Sequence, residues 1–164
     1  MPSAANGGAI MTKSILMAAS ACLIFSTPAQ AGPAEDATAA VTTWLDKFNA
    51  GDVAAFKAAH APNAVIIDEF GAHLWTGADV PQRWLDDYGK DATASGITGG
   101  RVDYAAPIRA SANERSAYIV LPTIYRFQQA GTARSAAGTM TFVMTKVGNE
   151  WKIAAWTYSA PAPK

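Results

Sequence analysis

The chain has 164 residues, of which 50% are apolar and 16% carry a charge. This composition is typical of a protein that buries a hydrophobic core, and it argues against a disordered chain. The length lies within the range of a single domain. Thirteen basic and thirteen acidic side chains cancel, so no net field attracts nucleic acid or anionic lipid. We therefore expect no nucleic-acid partner.

Residues 1–31 have the pattern of a secretory signal peptide, with a possible true start at Met11. A short basic segment is followed by an uncharged, mostly apolar run at 15–25, and small residues at 29–31 end the segment. The apolar run is about half of the roughly 20 residues that span a bilayer. The sequence therefore predicts cleavage before Gly32, a periplasmic or secreted protein, and no stable membrane anchor after cleavage.

Metal and cofactor motifs are missing from the sequence. The single cysteine, Cys22, lies in the predicted leader, and no His-x-His, Glu-x-x-His or Cys pair occurs. The glycines at 96, 99 and 100 lack the Lys-Ser/Thr that completes a phosphate-binding loop. We expect neither a metal nor a cofactor.

The mature segment, predicted as one domain over 32–164, begins with helical patterns. Apolar residues recur on one face from Glu35 to Ala50. Asp52 is placed to cap a second, shorter helix that runs through His60, and Asp79 with Gln82 has the spacing of a capping box for a third.

The rest of the chain shows the period of two that is typical of strands. Strands are predicted at 64–68, 73–75, 101–110, 117–127, 138–146 and 151–159. Helices followed by a run of antiparallel strands indicate an α+β fold, with the helices on one face of a curved sheet.

Three short segments resemble a known family. Phe48-Asn-Ala-Gly-Asp52 resembles the helix–turn–helix corner of ketosteroid isomerases, Arg109-Ala-Ser-Ala-Asn-Glu114 their third-to-fourth strand connection, and Gly148-Asn-Glu-Trp-Lys-Ile153 the hairpin before their last strand. Over most of residues 35–159 the chain looks like the SnoaL-like, ketosteroid-isomerase-like branch of the nuclear-transport-factor-2-like superfamily. The resemblance implies a cone-shaped curved antiparallel sheet covered by three N-terminal helices, a fold also called cystatin-like, with a pocket beneath the helices.

The resemblance also implies a site. It places Asp68 at the position of the family's proton-shuttling carboxylate, and His60 on a pocket wall, so these two are the predicted catalytic residues. Trp44 falls where the isomerases have the phenol of their oxyanion hole. The predicted ligand-binding walls are Trp44, Trp84, Tyr88, Leu121, Tyr125 and Trp156.

The chain departs from the isomerases at the hydrogen-bond donors. Those enzymes use two donors to the developing enolate, a tyrosine and a protonated aspartic acid. Here the first position is Trp44, and the second falls on Phe142 or Val143, neither of which can donate. One lost donor costs about 10²–10³ in rate, so steroid isomerisation is not expected.

Each site residue also has a plainer interpretation. Asp68 is either a general base held in an apolar environment or a cap of the turn that follows it. His60 either shares a proton with Asp68 or bonds a backbone carbonyl. The tryptophans either line a cavity or fill the core.

Two functional hypotheses follow. The first is an isomerase, cyclase or dehydratase acting on a small apolar substrate through Asp68. The second is a non-catalytic module of the same fold, which binds a hydrophobic ligand or dimerises. In either case the resemblance favours a homodimer, formed through a convex sheet face predicted to carry Trp151, Ile153 and Val143 or Val147.

Overall fold

The computed structural model describes residues 32–161; the predicted leader lies outside the described residues. The helices are α1 (Pro33–Asn49), α2 (Val53–Ala58) and α3 (Val80–Ala94). The strands are β1 (His60–Ile67), β2 (Leu74–Trp75), β3 (Ile97–Tyr104), β4 (Arg109–Ala112), β5 (Ser116–Gln129), β6 (Thr132–Val147) and β7 (Glu150–Ser159). None of the helices in this part of the chain is long and apolar enough to cross a membrane.

The seven strands form one curved sheet in the order β2-β1-β7-β6-β5-β3, and β4 also pairs with β5. All pairs are antiparallel except β1 with β7, which is parallel. A parallel pair needs a long connection, and here α3 and five strands lie between the two partners. The predicted α+β class, with three helices packed on one sheet face, is confirmed.

Three predictions about individual helices and strands are wrong. α2 ends before His60, which instead begins β1, and a bulge in β1 accommodates Pro62 within the strand. The strand predicted at 101–110 is two strands, β3 and β4, which pair with successive parts of β5. Asp79 precedes α3 with a positive φ of 52° and makes no side-chain cap, so the predicted capping box does not form.

The core lies between the helices and the inner face of the sheet. α1 contributes Val41, Trp44 and Leu45, all at most 3% exposed, and the strands contribute residues such as Ile119 and Phe142, both at 0%. Burial of such side chains stabilises a fold by about 1.5–3 kcal/mol each. The apolar stripe predicted for the first helix is therefore the face that packs on the sheet.

A side-chain amide fixes the end of α1 against the sheet. Asn49 donates through Nδ2 to the carbonyl of Val102 and accepts from its N–H, both at 2.8 Å. Asp52 then caps α2 by accepting from the N–H of Ala55 at 3.0 Å, as predicted. These contacts set the position of α1 over the sheet, and with it the position of the site described below.

A bulge in β7 changes which residues face outward. The register shifts so that Ile153 pairs with Met144 and Ala155 pairs with Val143. Ile153 and Trp156 therefore both face the core, with exposures of 1% and 3%. Trp151 also packs against the core. The prediction that Ile153 and Trp151 lie on the convex face is wrong, because strict alternation fails at a bulge.

Candidate functional site

A cavity of about 200 Å³, partly open to solvent, lies between α1, α3 and the inner face of the sheet. Half of the residues that line it are aromatic. The rings come from both helices, from the loop after β1, and from β5 and β7. A concave, mostly apolar pocket with few polar groups is the usual form of a small-molecule site.

Asp68 lies in the wall of this cavity, immediately after β1. The strand turns Ala64 and Ile66 inward, at 2% and 0% exposed, and Asp68 continues that face. Its Oδ1 accepts from the N–H of Glu69 at 2.7 Å, and its Oδ2 accepts from Nε1 of Trp84 at 3.1 Å. One carboxylate oxygen thus supports the turn while the other is held by a cavity wall.

Burial raises the pKa of Asp68 to about 6. The bonds from Glu69 N–H and from Trp84 lower the pKa, while the negative charges of Glu69 and Asp91 raise it further. A carboxylate with a pKa near 6 exchanges a proton readily near neutral pH, which is the property required of a general acid or base.

His60 is buried, at 8% exposed, and both of its ring nitrogens are used. Nε2 lies 3.2 Å from Nε1 of Trp156, and Nδ1 lies 2.9 Å from the carbonyl oxygen of Phe56. An indole nitrogen can only donate, so Nε2 accepts and the proton is on Nδ1, which donates to Phe56. Burial lowers the pKa of His60 to about 4, and the ring is neutral.

The structure does not bring His60 into the cavity with Asp68. His60 is absent from the lining residues, and the charges that act on Asp68 come from Glu69 and Asp91. The hydrogen bonds instead make His60 a support for Trp156. The plainer interpretation, a histidine that bonds a backbone carbonyl, matches the geometry.

The tryptophan that holds Asp68 is itself fixed by aromatic neighbours. Trp84 is 4% exposed; its ring stacks on Phe56 at 5.6 Å and on Tyr88 at 5.2 Å between centroids. It also makes an edge-to-face contact with Trp156 at 5.1 Å. Such pairs are worth about 0.5–1.5 kcal/mol beyond area burial. The indole N–H is consequently preoriented towards the carboxylate.

Five of the six predicted wall residues line the cavity: Trp44, Trp84, Tyr88, Tyr125 and Trp156. Leu121 does not line it. It faces the same side of the sheet but is 0% exposed within the core. Alternation along β5 predicts which face of the sheet a side chain lies on. It does not predict whether that side chain lines the cavity or is covered by the helices.

Two buried donors in the cavity wall have no hydrogen-bond partner. Nε1 of Trp44 and the hydroxyl of Tyr158 are both buried and find no partner in the described part of the chain, and both residues line the cavity. A buried, unsatisfied polar group costs about 1–3 kcal/mol. A bound ligand with an acceptor atom would remove that cost.

The second donor position of the isomerases remains without a donor here, because the side chains of Phe142 and Val143 are hydrocarbons. Phe142 is fully buried, and Val143 is exposed on the other face of the sheet.

Two glycines in the strands create space for the tyrosines of the site. A Cβ on Gly100 would collide with the hydroxyls of Tyr88 and Tyr125, which bond each other at 2.7 Å. A Cβ on Gly138 would collide with the ring of Tyr158. Glycine inside a strand often marks such a close approach, so Gly100 and Gly138 are a sequence signal for the positions of these tyrosine rings.

Other wall residues had no sequence signal. Glu69 and Asp91 lie at the exposed edge of the cavity, and Phe70 and Met140 complete its apolar lining. Within residues 32–161, no group of three His, Cys, Asp or Glu side chains is placed to hold a metal ion.

A curved sheet under three helices, with one half-buried carboxylate in an aromatic cavity, defines a pocket-forming α+β protein of the nuclear-transport-factor-2-like class. Residues 37–163 match the SnoaL-like domain, so the chain belongs to the SnoaL-like family. No curated protein matches the sequence.

Solved structures share the fold at low sequence identity. A ketosteroid isomerase-like protein from Erwinia carotovora atroseptica has a TM-score of 0.62 and 18% identity, over 79% of this chain and 97% of that one. The CaMKII hub of S. rosetta has a TM-score of 0.64 and 18% identity, over 80% and 98%. An NTF2-like superfamily protein from Salmonella enterica has a TM-score of 0.62 and 15% identity, over 77% and 89%. Identities this low establish the fold alone.

Proposed function

We propose that this protein binds a small molecule in the cavity and that Asp68 transfers a proton to or from it. The observation that carries the proposal is the position of Asp68: its carboxylate lies in an aromatic cavity wall, held by Trp84 at 3.1 Å, with a pKa raised to about 6. Perturbed carboxylates in clefts are characteristic of functional sites.

The geometry suits chemistry next to a carbonyl group. Asp68 would accept a proton from the carbon beside the carbonyl, and the electron pair of the broken C–H bond would move onto the carbonyl oxygen. Trp44 and Tyr158 both line the same cavity and carry an N–H and an O–H without a partner among residues 32–161, and these donors could stabilise that oxygen. Return of the proton from protonated Asp68 to another carbon completes an isomerisation. In a dehydration the enolate electrons form the new C=C bond, the C–O bond to a hydroxyl on the next carbon breaks, and the proton on Asp68 passes to that oxygen, which leaves as water. The proposed activity is therefore of the isomerase, cyclase or dehydratase kind.

The test combines a titration with one substitution. In Asp68→Asn the side-chain oxygen still accepts from Trp84, while the charge and the proton are lost. We expect turnover to be abolished and the fold to be retained. The carboxyl carbon of Asp68, followed by NMR, should titrate near pH 6 in the wild type.

Asp86→Asn is the matched control, because Asp86 is exposed on α3 and does not line the cavity. A carboxyl that titrates near its ordinary pKa of about 3.9, together with a fully competent Asp68→Asn variant, would end the proposal.

A second candidate is a module that binds a ligand without chemistry. It is favoured by the absence of a donor at Phe142, which leaves the donors at Trp44 and Tyr158 without the arrangement seen in the isomerases. In that case Asp68→Asn would alter ligand affinity, and no turnover would be found in the wild type.

The predicted leader at residues 1–31 supports the further proposal that either activity takes place in the periplasm or outside the cell.

A further inference from the structure

The charged residues that line the cavity all carry the same sign. Asp68 lies within the wall, and Glu69 and Asp91 lie at the exposed edge. Among residues 32–161, no lysine, arginine or histidine lines the cavity. No ion pair within residues 32–161 involves any of the three carboxylates. The cavity therefore has a negative potential that no neighbouring cation in its wall cancels.

The walls between these carboxylates are aromatic rings. Trp44, Trp84 and Trp156 line the cavity together with tyrosines of α3, β5 and β7. The face of a tryptophan attracts a cation that lies within about 6 Å of the ring, and more strongly where water is excluded. Carboxylates among aromatic rings provide the two kinds of group that bind an organic cation.

The arrangement does not suit the other ligand classes. The carboxylates are not grouped to bind a metal ion within the described residues. An anion would be repelled by all three. A purely apolar molecule would leave the N–H of Trp44, a residue 3% exposed, without a partner in the cavity wall.

We infer that the ligand is a small organic cation, a protonated amine or a quaternary ammonium, that also carries a hydrogen-bond acceptor. The inference rests on the proposed function and narrows its ligand class. The volume of about 200 Å³ limits the size of the ligand. An apolar cavity of about 150 Å³ binds benzene, so a molecule with one short chain or one ring fits.

The charge of the site depends on pH through Asp68. The titratable groups that face it are Glu69 beside it, Asp91 and Tyr88 on α3, Tyr125 on β5 and Tyr158 on β7. None of them can carry a positive charge. A cation should therefore bind more tightly as the pH rises through about 6, where Asp68 ionises. A neutral ligand that accepts a hydrogen bond from protonated Asp68 should show the opposite dependence.

The experiment compares two molecules of the same shape. Choline carries a trimethylammonium group and a hydroxyl, and 3,3-dimethyl-1-butanol replaces the ammonium nitrogen with carbon. Binding is followed by tryptophan fluorescence, since three tryptophans line the cavity, and by calorimetry. We expect choline to bind more tightly on the order of tenfold or more, and its affinity to fall on the order of tenfold between about pH 7.5 and about pH 5.

Substitutions assign the effect to the cavity. Asp68→Asn should reduce the affinity for choline to that for the neutral alcohol. Asp91→Asn should weaken choline binding less, because Asp91 is at the exposed edge, and it also serves if Asp68→Asn folds poorly. Asp86→Asn, on the same helix but outside the cavity, should change nothing.

Each outcome decides between the two proposals. Equal affinity for the two molecules, or choline binding that ignores Asp91→Asn and Asp68→Asn, would overturn the cationic ligand. The proposed function would survive that result if Asp68 still titrates near pH 6. If neither molecule binds at millimolar concentration, the cationic ligand is rejected, and an ordinary pKa for Asp68 would then reject the proposed function as well.

Discussion

Trp156 donates its indole N–H to Nε2 of His60, and this bond joins β7 to the first residue of β1 beneath the cavity. Nδ1 of His60 donates to the carbonyl of Phe56, and burial keeps the imidazole neutral between a helix and a ring of the cavity wall. The histidine that the sequence placed beside the carboxylate instead fixes the tryptophan that contacts Trp84. It acts on the site through packing.

A first prediction concerns the pH dependence of stability. The pKa of His60 is about 4 in the folded chain and about 6.5 when unfolded. Between these values the unfolded state binds the proton, so the stabilisation is complete above about pH 6.5 and is lost as the pH falls towards 4. In His60→Gln this dependence should vanish, and at pH 7 the variant should be less stable by about 1–3 kcal/mol because glutamine cannot keep both bonds.

Urea unfolding of both proteins at several pH values between 4 and 7 measures the effect. The difference in the free energy of unfolding should shrink as the pH is lowered. Asp68 has the opposite dependence, because a raised pKa makes the folded state bind its proton first, but it is present in both proteins and cancels. A difference that is constant with pH would show that His60 is not held neutral.

A second prediction concerns the glycine beneath Tyr158. The Cβ of Gly138→Ala would meet the tyrosine ring and push it into the cavity. We expect a cost of about 1–3 kcal/mol from overpacking, together with weaker binding of any cavity ligand. Thermal melts and the fluorescence titration measure the two effects.

Gly89→Ala is the matched control for this prediction. Gly89 lies in α3, and a Cβ there meets nothing within 4 Å. Alanine should stabilise the helix by up to about 1 kcal/mol and leave binding unchanged. Wild-type affinity in Gly138→Ala would show that Tyr158 does not shape the cavity.

A third prediction concerns processing. The order of a basic start, an apolar run and small residues before Gly32 predicts removal of the leader on export. The mature chain should begin at Gly32, which the intact mass of the exported protein would show. Retention of residues 11–31 would contradict both the cleavage and the localisation.

A fourth prediction concerns association through the outer sheet face. Cross-strand neighbours there include Tyr118, Val143 and Ala155, and both large residues are more than 40% exposed. We expect a homodimer through this face, and Val143→Lys should give a monomer in light scattering. Val53→Lys, which changes an exposed valine on the helical side, should not. A wild-type monomer at micromolar concentration would refute the dimer.

The sequence predicted the class of fold because its periodic patterns are local. The stripe of α1 and the alternation of β5 placed Trp44, Leu121 and Tyr125 on the correct face. Where the backbone departs from regular geometry, the same reasoning failed. The bulge at residue 154 places Ile153 on the sheet face opposite to the predicted one. α2 ends earlier than predicted, so His60 lies in β1 and not in a helix.

The candidate site was predictable where one strand controls it and not where several elements meet. Asp68 follows from the phase of β1. The bond of Asp68 to Trp84, and the proximity of Asp91 to it, depend on how α3 lies across the sheet. No sequence pattern within one segment predicts the angle at which α3 crosses the sheet. The strand glycines were the nearest sequence evidence of the cavity's shape.

The parallel pairing of β1 with β7 also bears on when the cavity comes into existence. β1 reaches the rest of the sheet through β7, the last strand within residues 32–161, across about ninety residues of chain. Contacts between such distant segments form late, because the entropy of closing the loop must be overcome first. A nascent chain that lacks β7 carries Asp68 on a hairpin that pairs with no other strand, without Trp156 or Tyr158. The wall of the cavity is therefore completed only when β7 inserts between β1 and β6.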